Sequence, residues 1–264
     1  FVSESAVANA IAGLQAAGVN DLVLDLRYNR GGYLYVASQL AYMIAGPART
    51  AGRNFEIEQT NDKKPFGPDD VLGFLTKGSG YPGGLTNGQP LPTLNLPRVF
   101  VLTTGSSCSA SEALINGLRG IDVQVILIGS GATCGKPFGF YGTDNCGTTY
   151  FTVQFTGVNA KGEGGYVDGF APSCTVADDL GHALGDPSEA QLAGALAWRA
   201  TGACQAAKAG IQRFVEPSAS GLALGDARFE LGGNKRMVAP DVRRDGGAPL
   251  TPRSPSELGA RNDP

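Results

Sequence analysis

Residues 98–136 read RVFVLTTGSSCSASEALINGLRGIDVQVILIGSGATCGK, and this stretch decides the fold. The apolar runs at 98–103 and 123–129 have the length of buried strands, and residues 109–118 between them have the pattern of a helix. A strand, a helix and a second strand in succession are typical of a βαβ unit. The stretch therefore predicts an α/β protein with a layered core and mostly parallel strands.

The same alternation of strands and helices continues on both sides of this stretch. We predict a helix around Val7, Ile11 and Leu14, a strand at 21–26, a helix at 33–45 and a closing helix at 187–199 that starts near Pro187. Residues 46–97 are predicted to be a long, mostly irregular connection. We expect a core domain at 1–202 and a C-terminal extension at 203–264, which from Ile211 onward is polar and rich in Gly, Pro and Arg.

Composition excludes some classes of function. The chain has 264 residues, of which 42% are hydrophobic and 17% charged, with a net charge of −3. This balance gives no electrostatic reason to expect nucleic acid or an anionic membrane as a partner. No apolar run reaches the length of a transmembrane helix. The chain begins with Phe1 rather than Met, so we expect it to be a fragment or a processed form.

Two segments carry the candidate chemistry: SCSASE at 107–112 and TCGK at 133–136. A serine becomes a nucleophile only when a base within hydrogen-bond reach takes its proton. The only histidine, His182, lies apart from both segments, and we interpret it as structural or surface-exposed. A lysine can replace histidine where burial in an apolar pocket favours the neutral amine. The two segments thus predict a serine–lysine pair, a known variant of the hydrolytic triad.

Four segments resemble, in order, the motifs of the tail-specific (C-terminal processing) serine peptidases of family S41. They are LDLRYNRGG at 24–32, SASE at 109–112, GSGATCGK at 129–136 and DGFAP at 168–172. The resemblance covers about residues 1–200 and implies the ClpP/crotonase-like fold. It also implies a serine endopeptidase that cleaves polypeptide substrates near their C-termini and needs no cofactor. Members often carry an upstream PDZ domain, which would lie outside this chain.

The resemblance assigns Ser109 as the nucleophile and Lys136 as the general base. It assigns the oxyanion hole to the amide of Ala110 together with that of Gly31 or Gly32. Each assignment has a plainer alternative. Ser109 could serve only as a helix cap, a role for which three neighbouring serines compete with it. Lys136 could be a solvated loop lysine, and the two glycines could serve only to form a turn.

One position departs from the family pattern, because Phe140 stands where many members have a glutamine that orients the lysine. Gln154, on the strand-like stretch 150–155, is the candidate replacement if the Cys134–Cys146 hairpin folds it back; otherwise the third member is absent or different. Cys108 is a rival nucleophile without a histidine near it in sequence.

The five cysteines predict two disulfides, Cys134–Cys146 and Cys174–Cys204, with Cys108 left as a free thiol. Such bridges imply an oxidising compartment, so we expect a periplasmic or secreted protein. The alternative is five unrelated reduced cysteines. No Cys or His spacing suggests a metal site.

Two other functions remain open alongside peptidase activity. One is a non-catalytic polypeptide-binding module that kept the fold, which the phenylalanine at position 140 motivates. The other is an acyl-CoA-handling relative on the same fold, but that chemistry gives no reason for the SASE and GK segments.

Overall fold

The computed structural model describes residues 2–62, 70–140 and 142–204. The predicted C-terminal extension lies outside the described residues, apart from its first two positions. The described chain divides into a large unit and a small one, which consists of residues 142–152. The helices are α1 (Val2–Ala16), α2 (Leu34–Ala45), α3 (Pro47–Thr50), α4 (Ala110–Gly120) and α5 (Ala190–Thr201). None of the helices in the described ranges is long and apolar enough to span a membrane.

A parallel sheet forms the centre of the large unit. Its strands are β1 (Val23–Asp25), β4 (Arg98–Thr103), β5 (Gln124–Gly129) and β10 (Cys174–Thr175), in the order β1-β4-β5-β10, and every neighbouring pair is parallel. β4, α4 and β5 form the predicted βαβ unit with boundaries within two residues of those expected. The α/β fold with a parallel core is therefore confirmed.

The two faces of this sheet are covered by different helices, which makes the core a sandwich of three layers. Alternate residues of β4 and β5 point to opposite faces, as strand geometry requires. Val99, Val101 and Leu127 pack in one cluster with α1, α2 and α4. Phe100 and Ile126 pack in a second cluster with α5, where the Phe100 and Trp198 rings meet edge to face at 5.7 Å.

A second, antiparallel sheet has two of its strands in the 46–97 segment, which we expected to be irregular. It consists of β2 (Asn54–Thr60), β3 (Asp70–Gly73), β6 (Phe138–Gly139) and β9 (Phe155–Val158), in the order β3-β2-β9-β6. The prediction for 46–97 was wrong here because β2 pairs with β9, about a hundred residues later. Pairing over such a distance leaves no local sequence signal.

The last helix also begins later than expected. The prediction placed Pro187 in its first turn, but α5 starts at Ala190 with Glu189 as its N-cap. The Glu189 carboxylate accepts hydrogen bonds from the amides of Gln191 and Leu192, which satisfies two of the free donors at that helix end.

One predicted disulfide is confirmed and the other is wrong. Cys174 at the start of β10 is bonded to Cys204 beyond α5. Cys134, however, is bonded to Cys108 rather than to Cys146, so Cys108 is not free. Cys146 is an exposed free thiol in the small unit. There it lies at the turn of a hairpin of β7 (Thr143–Asn145) and β8 (Thr148–Tyr150), a turn that also contains Gly147.

Candidate active site

The predicted site residues follow three parallel strands at one edge of the sheet. The 24–32 segment continues from β1, Ser109 follows β4, and Lys136 follows β5. Parallel strands present their carboxyl ends at the same edge, and that edge is where open α/β sheets bind ligands. The topology thus explains why motifs more than a hundred residues apart meet.

Ser109 occupies a strained turn between β4 and α4. It is the N-cap of α4, and its backbone has φ 56° and ψ −117°, a conformation that L-residues rarely adopt. A serine on a sharp strand-to-helix turn of this kind presents its hydroxyl away from the backbone. The capping alternative and the nucleophile assignment are therefore compatible, since the same turn serves both.

The neighbouring serines have other partners. Ser107 is fully buried, and its hydroxyl donates to the carbonyl of Leu26 at 2.7 Å. The hydroxyl of Ser111 donates to the carbonyl of Asn29 at 3.0 Å. Ser109 itself is only half-buried, so its hydroxyl is the one of these three that is placed to meet a substrate.

The 24–32 segment lies directly against the Ser109 turn. The carbonyl of Asn29 also accepts the amide of Cys108 at 3.0 Å. Gly31 has φ +99°, and a Cβ at this position would lie 2.7 Å from the Cβ of Ser109 and 2.9 Å from the amide nitrogen of Ala110. Only glycine permits this approach at position 31, whereas a Cβ at Gly32 would have nothing within 4 Å, so the close contact with the Ser109 turn has a steric basis at Gly31.

The oxyanion-hole candidates differ in what their amides contact. The amide of Gly31 donates to the side chain of Asn29 at 2.9 Å. Within the described ranges, no acceptor takes the amide of Gly32 or that of Ala110, the first amide of α4. Free amides at a helix start next to a nucleophile are suited to bind a developing negative charge.

Glu112 joins the Ser109 turn to the lysine loop, which is the segment 133–136 that carries Lys136, and sequence reasoning missed this role. Its side chain is completely buried. One carboxylate oxygen accepts the amides of Ser109 at 2.9 Å and Lys136 at 2.8 Å. The other accepts the hydroxyl of Thr133 at 2.6 Å and the amide of Gly135 at 2.8 Å. The signal was present in the sequence, because a glutamate three residues after an N-cap serine forms a capping box.

The 168–172 segment supports the lysine loop from its other side. The amide of Thr133 donates to the carbonyl of Phe170 at 3.1 Å, and the amide of Phe170 donates to the hydroxyl of Thr133 at 2.8 Å. Gly135 and Gly169 both have positive φ, and a Cβ on either would run into the backbone of the opposite segment. All four motifs of the sequence resemblance are therefore in contact.

Lys136 is exposed, which differs from the expectation of a buried amine. Its Nζ lies 5.6 Å from the centre of the Phe140 ring, within the range of a cation–π contact. The residue that replaces the expected glutamine thus contacts the lysine itself. This contact favours the charged ammonium, whereas a general base must be neutral.

Gln154 immediately precedes β9. Its amide donates to the carbonyl of Gly139 at 3.0 Å, and its side chain is buried. β6 and β9 pair Phe138 with Thr156 and Gly139 with Phe155, so continuing this register by one residue places Gln154 opposite Phe140. The expected Cys134–Cys146 hairpin is absent from the described residues, and the pairing of β6 with β9 brings Gln154 near Phe140 instead.

A disulfide connects the same two segments. Cys108 directly precedes Ser109, and Cys134 precedes Lys136 by two residues; their Cα atoms are 5.2 Å apart. Among the described residues, these cysteines and Glu112 form the one acidic or thiol cluster with ligand atoms close enough for a metal, within 4.8 Å. Because the two sulfurs are bonded to each other, the cluster offers no thiolate ligand in this form.

Buried charges flank the site on one side. Arg27 pairs with Asp25 at 2.7 Å and with Asp178 and Glu189 at 2.9 Å each, and these partners raise the pKa of its guanidinium. The hydroxyl of Tyr28 donates to Asp178. His182 is exposed and contacts Asp179 at 2.7 Å, which agrees with its interpretation as a surface residue.

A further carboxyl lies inside the antiparallel sheet. Glu56 of β2 is buried against Gly157 of β9, where a Cβ would collide with the Glu56 carboxyl group. Burial raises the pKa of Glu56 to about 8, and the nearby Glu58 carboxylate adds to the shift. Burial, together with the charges of Glu56 and Glu112, also raises the pKa of Tyr166.

Comparison with solved structures gives 37 matching chains, three of which are the following. A putative S41 protease from Bacteroides fragilis is 28% identical with a TM-score of 0.59, over 73% of this chain and 48% of that one. A photosystem II D1 C-terminal processing protease is 21% identical with a TM-score of 0.44, over 63% of this chain and 37% of that one. A lipoprotein from Streptococcus agalactiae is 15% identical with a TM-score of 0.43, over 63% of this chain and 55% of that one.

This chain spans about half the length of the Bacteroides protein. No curated protein matches it. The model of peptidase family S41 matches residues 1–139, which is more than half of the 264 residues and includes the 24–32 segment, the Ser109 turn and Lys136. The chain therefore belongs to peptidase family S41.

Proposed function

We propose that this protein is a serine peptidase that hydrolyses polypeptides, with Ser109 as nucleophile and Lys136 as general base. The observation that carries the proposal is the shared Glu112 oxygen. It accepts the amides of both residues, at 2.9 and 2.8 Å, so the two nitrogens are at most about 5.7 Å apart, the sum of these distances. Residues from two distant motifs are thereby held side by side at the start of α4.

The reaction follows from the groups present. The neutral amine of Lys136 takes the proton of Ser109 Oγ as the oxygen attacks the substrate carbonyl. The oxyanion that forms is bound by backbone amides, and the α4 N-terminus adds a favourable dipole. When the C–N bond breaks, the Lys136 ammonium returns the proton to the leaving amine. Water then hydrolyses the acyl-enzyme with the same lysine as base.

We assign the second oxyanion donor to Gly32 rather than Gly31, alongside Ala110. The amide of Gly31 is occupied by the Asn29 side chain, and this bond fixes the turn that aims the next amide. No described residue accepts the amide of Gly32, so it can bind an oxyanion without first losing a partner.

Lys136 must lose its proton to act as a base, although its side chain is exposed in the free protein. A polypeptide lying over Lys136 and Phe140 would exclude water and disfavour the ammonium, because desolvation penalises the charged form. Gln154, opposite Phe140 in the sheet register, is our candidate for the residue that then orients the amine.

Preference for C-termini rests on the resemblance of the motifs to the tail-specific peptidases. We also propose a periplasmic or secreted location, since disulfides such as Cys108–Cys134 and Cys174–Cys204 persist in oxidising compartments.

A second candidate is a non-catalytic polypeptide-binding module. The observation that favours it is the contact of Lys136 with Phe140, which stabilises the charged amine.

Hydrolysis of an unfolded polypeptide separates the two candidates. We expect Ser109→Ala and Lys136→Ala each to abolish cleavage, with little further loss in the double variant, because the two side chains act as one unit. Lys161→Ala, which removes an exposed lysine paired with Asp122, is the matched control and should keep the rate. The binding module would instead retain the polypeptide without cleaving it, and full activity of Ser109→Ala would refute the nucleophile assignment.

Two further arms test the base and the preference for C-termini. The rate should rise toward alkaline pH as the amine loses its proton, and His182→Ala should leave this profile unchanged. Loss of the pH dependence in His182→Ala would assign the base to the histidine instead. Peptides that differ only in a free or an amidated C-terminus should be cleaved at different rates if the C-terminus is recognised.

A further inference from the structure

The Cys108–Cys134 disulfide is placed differently from an ordinary structural bridge. Cys108 is the residue immediately before Ser109, and Cys134 lies two residues before Lys136. The bond therefore crosslinks the nucleophile turn to the lysine loop, closing a segment of 26 residues that contains all of α4 and β5. The Cys174–Cys204 bond, of similar span at 30 residues, joins β10 to the end of α5 instead.

Backbone hydrogen bonds converge on the same bridge. The amide of Cys134 donates to the carbonyl of Ser107 at 3.0 Å, and that of Cys108 donates to the carbonyl of Asn29 at 3.0 Å. The disulfide joins the Ser109 turn to the lysine loop, and the hydrogen bond to Asn29 adds the 24–32 segment. These three segments follow three different strands. Apart from the disulfide, the Ser109 turn and the lysine loop are joined by hydrogen bonds, chiefly those of Glu112.

Reduction would also disturb the Glu112 carboxylate. The Sγ of Cys134 lies 3.6 Å from the oxygen that accepts the amides of Ser109 and Lys136. A cysteine thiol at this position is a new donor that competes with both amides for that oxygen. A thiolate there would be repelled by the carboxylate. Either form loosens the connection between the proposed nucleophile and base.

The bridge can be reached from solvent. Both cysteines are only partly buried. In the second disulfide Cys174 is deeply buried but Cys204 is exposed, so a reductant can reach that bridge as well. Thiol–disulfide exchange requires a thiolate to reach one of the sulfurs, so partial exposure permits attack by a small dithiol.

We propose that the Cys108–Cys134 disulfide positions Ser109 against Lys136 and acts as a reversible redox gate on hydrolysis, with the oxidised form active. This inference rests on the proposed peptidase function. In the reduction, a dithiol supplies two electrons and two protons; the S–S bond breaks, two thiols form, and the dithiol becomes a cyclic disulfide. An oxidant such as oxidised glutathione reverses the step.

The test measures kcat and KM on a fluorogenic peptide before and after dithiothreitol treatment and after reoxidation with oxidised glutathione. We expect reduction to lower kcat about 10- to 100-fold, because small misplacement of reacting groups has effects of this size. KM should change much less, because the bridge acts on the reacting groups and not on the bound peptide. Reoxidation should restore the rate.

Two double variants of matched loop length serve as comparison. C108A/C134A should have a low kcat that no longer responds to dithiothreitol. C174A/C204A, which removes the bridge of similar span away from the site, should keep both the wild-type kcat and its response. Circular dichroism and the melting temperature of each form show that the protein stays folded at the assay temperature, and mass spectrometry after alkylation shows which thiols are free.

The outcomes distinguish the gate from the function on which it rests. Full activity of wild-type protein whose Cys108 and Cys134 are both alkylated overturns the gate and leaves the peptidase intact. Loss of kcat only in step with unfolding also overturns it, because the bridge would then be structural alone. An oxidised protein that hydrolyses no polypeptide overturns the proposed function, and the gate with it.

Discussion

Replacing Glu112 by glutamine tests the link between the two halves of the candidate site. The four hydrogen bonds to its buried carboxylate are divided between two oxygens: one holds the amides of Ser109 and Lys136, the other the amide of Gly135 and the hydroxyl of Thr133. Glutamine has nearly the same shape, but its amide nitrogen cannot accept a hydrogen bond. The substitution therefore removes acceptors without leaving a cavity.

The expected cost follows from these contacts. In the less costly orientation the amide nitrogen faces Thr133, whose hydroxyl can rotate, and the amide of Gly135 loses its acceptor. A buried donor left without a partner costs about 1–3 kcal/mol. The two bonds at the other oxygen pass from a charged to a neutral acceptor and lose about 1 kcal/mol each. We expect Glu112→Gln to lower the free energy of unfolding by about 3–5 kcal/mol.

Urea denaturation at neutral pH measures this change, and amide hydrogen exchange locates it. The amides of Gly135 and Lys136 should exchange faster in the variant, and hydrolysis should fall. Glu4→Gln is the matched control. Glu4 is an equally buried carboxylate that accepts from Gln39 and from the amides of Ser79 and Leu85, outside the site. It should cost stability while the exchange of Gly135 and Lys136 stays as in the wild type.

Two results would refute the reasoning. One is a free energy of unfolding for Glu112→Gln within about 1 kcal/mol of the wild type, since the loss of charged acceptors alone should exceed this. The other is unchanged exchange at Gly135 and Lys136, which would mean that the carboxylate does not hold the lysine loop.

Two further predictions concern Gly31 and Glu56. Gly31→Ala should destabilise the protein and lower hydrolysis, because the added Cβ would collide with the Ser109 turn. Gly18→Ala is the control: Gly18 has φ +66° and nothing within 4 Å of its Cβ, so this substitution should cost only about 1–2 kcal/mol. Equal melting temperatures of the two variants would contradict the argument. Glu56 has a folded-state pKa of about 8, above its ordinary value of 4.5, so it contributes stability below pH 4.5 that is lost as pH rises through 8. The free energy of unfolding of Glu56→Gln should therefore equal that of the wild type near pH 4 and exceed it by up to about 5 kcal/mol at pH 9. If denaturation curves give the same difference between variant and wild type at both pH values, Glu56 does not have this role.

The local sequence pattern was sufficient to predict the strands and the helix of the central core. Residues 98–103, 109–118 and 123–129 carry their own signals, because apolar runs and a capped helix are favoured by interactions within a few residues. The same holds for the glycines of the 24–32 segment, whose backbone freedom is needed wherever a strand turns sharply into a helix. The strands and the helix between them could therefore be predicted from local pattern, whereas Ser109 and Lys136 became candidates through the resemblance of their motifs to family S41.

Tertiary structure decided what depends on residues far apart in the chain. The partner of Cys134 is Cys108 because the Ser109 turn and the lysine loop meet at one sheet edge, while the spacing in the sequence favoured Cys146. β2 became a strand by pairing with β9, and its glutamates are buried although charge usually indicates exposure.

The exposure of Lys136 and the contacts of Glu112 also appear only in three dimensions. Burial and hydrogen bonding depend on which segments the fold brings together, and a single sequence encodes that only through long-range contacts that have no local signature. The sequence alone was enough to predict the parallel core and to name candidate residues. Only the tertiary structure shows how the Ser109 turn and the lysine loop are held against each other, because the contacts between them join residues far apart in the chain.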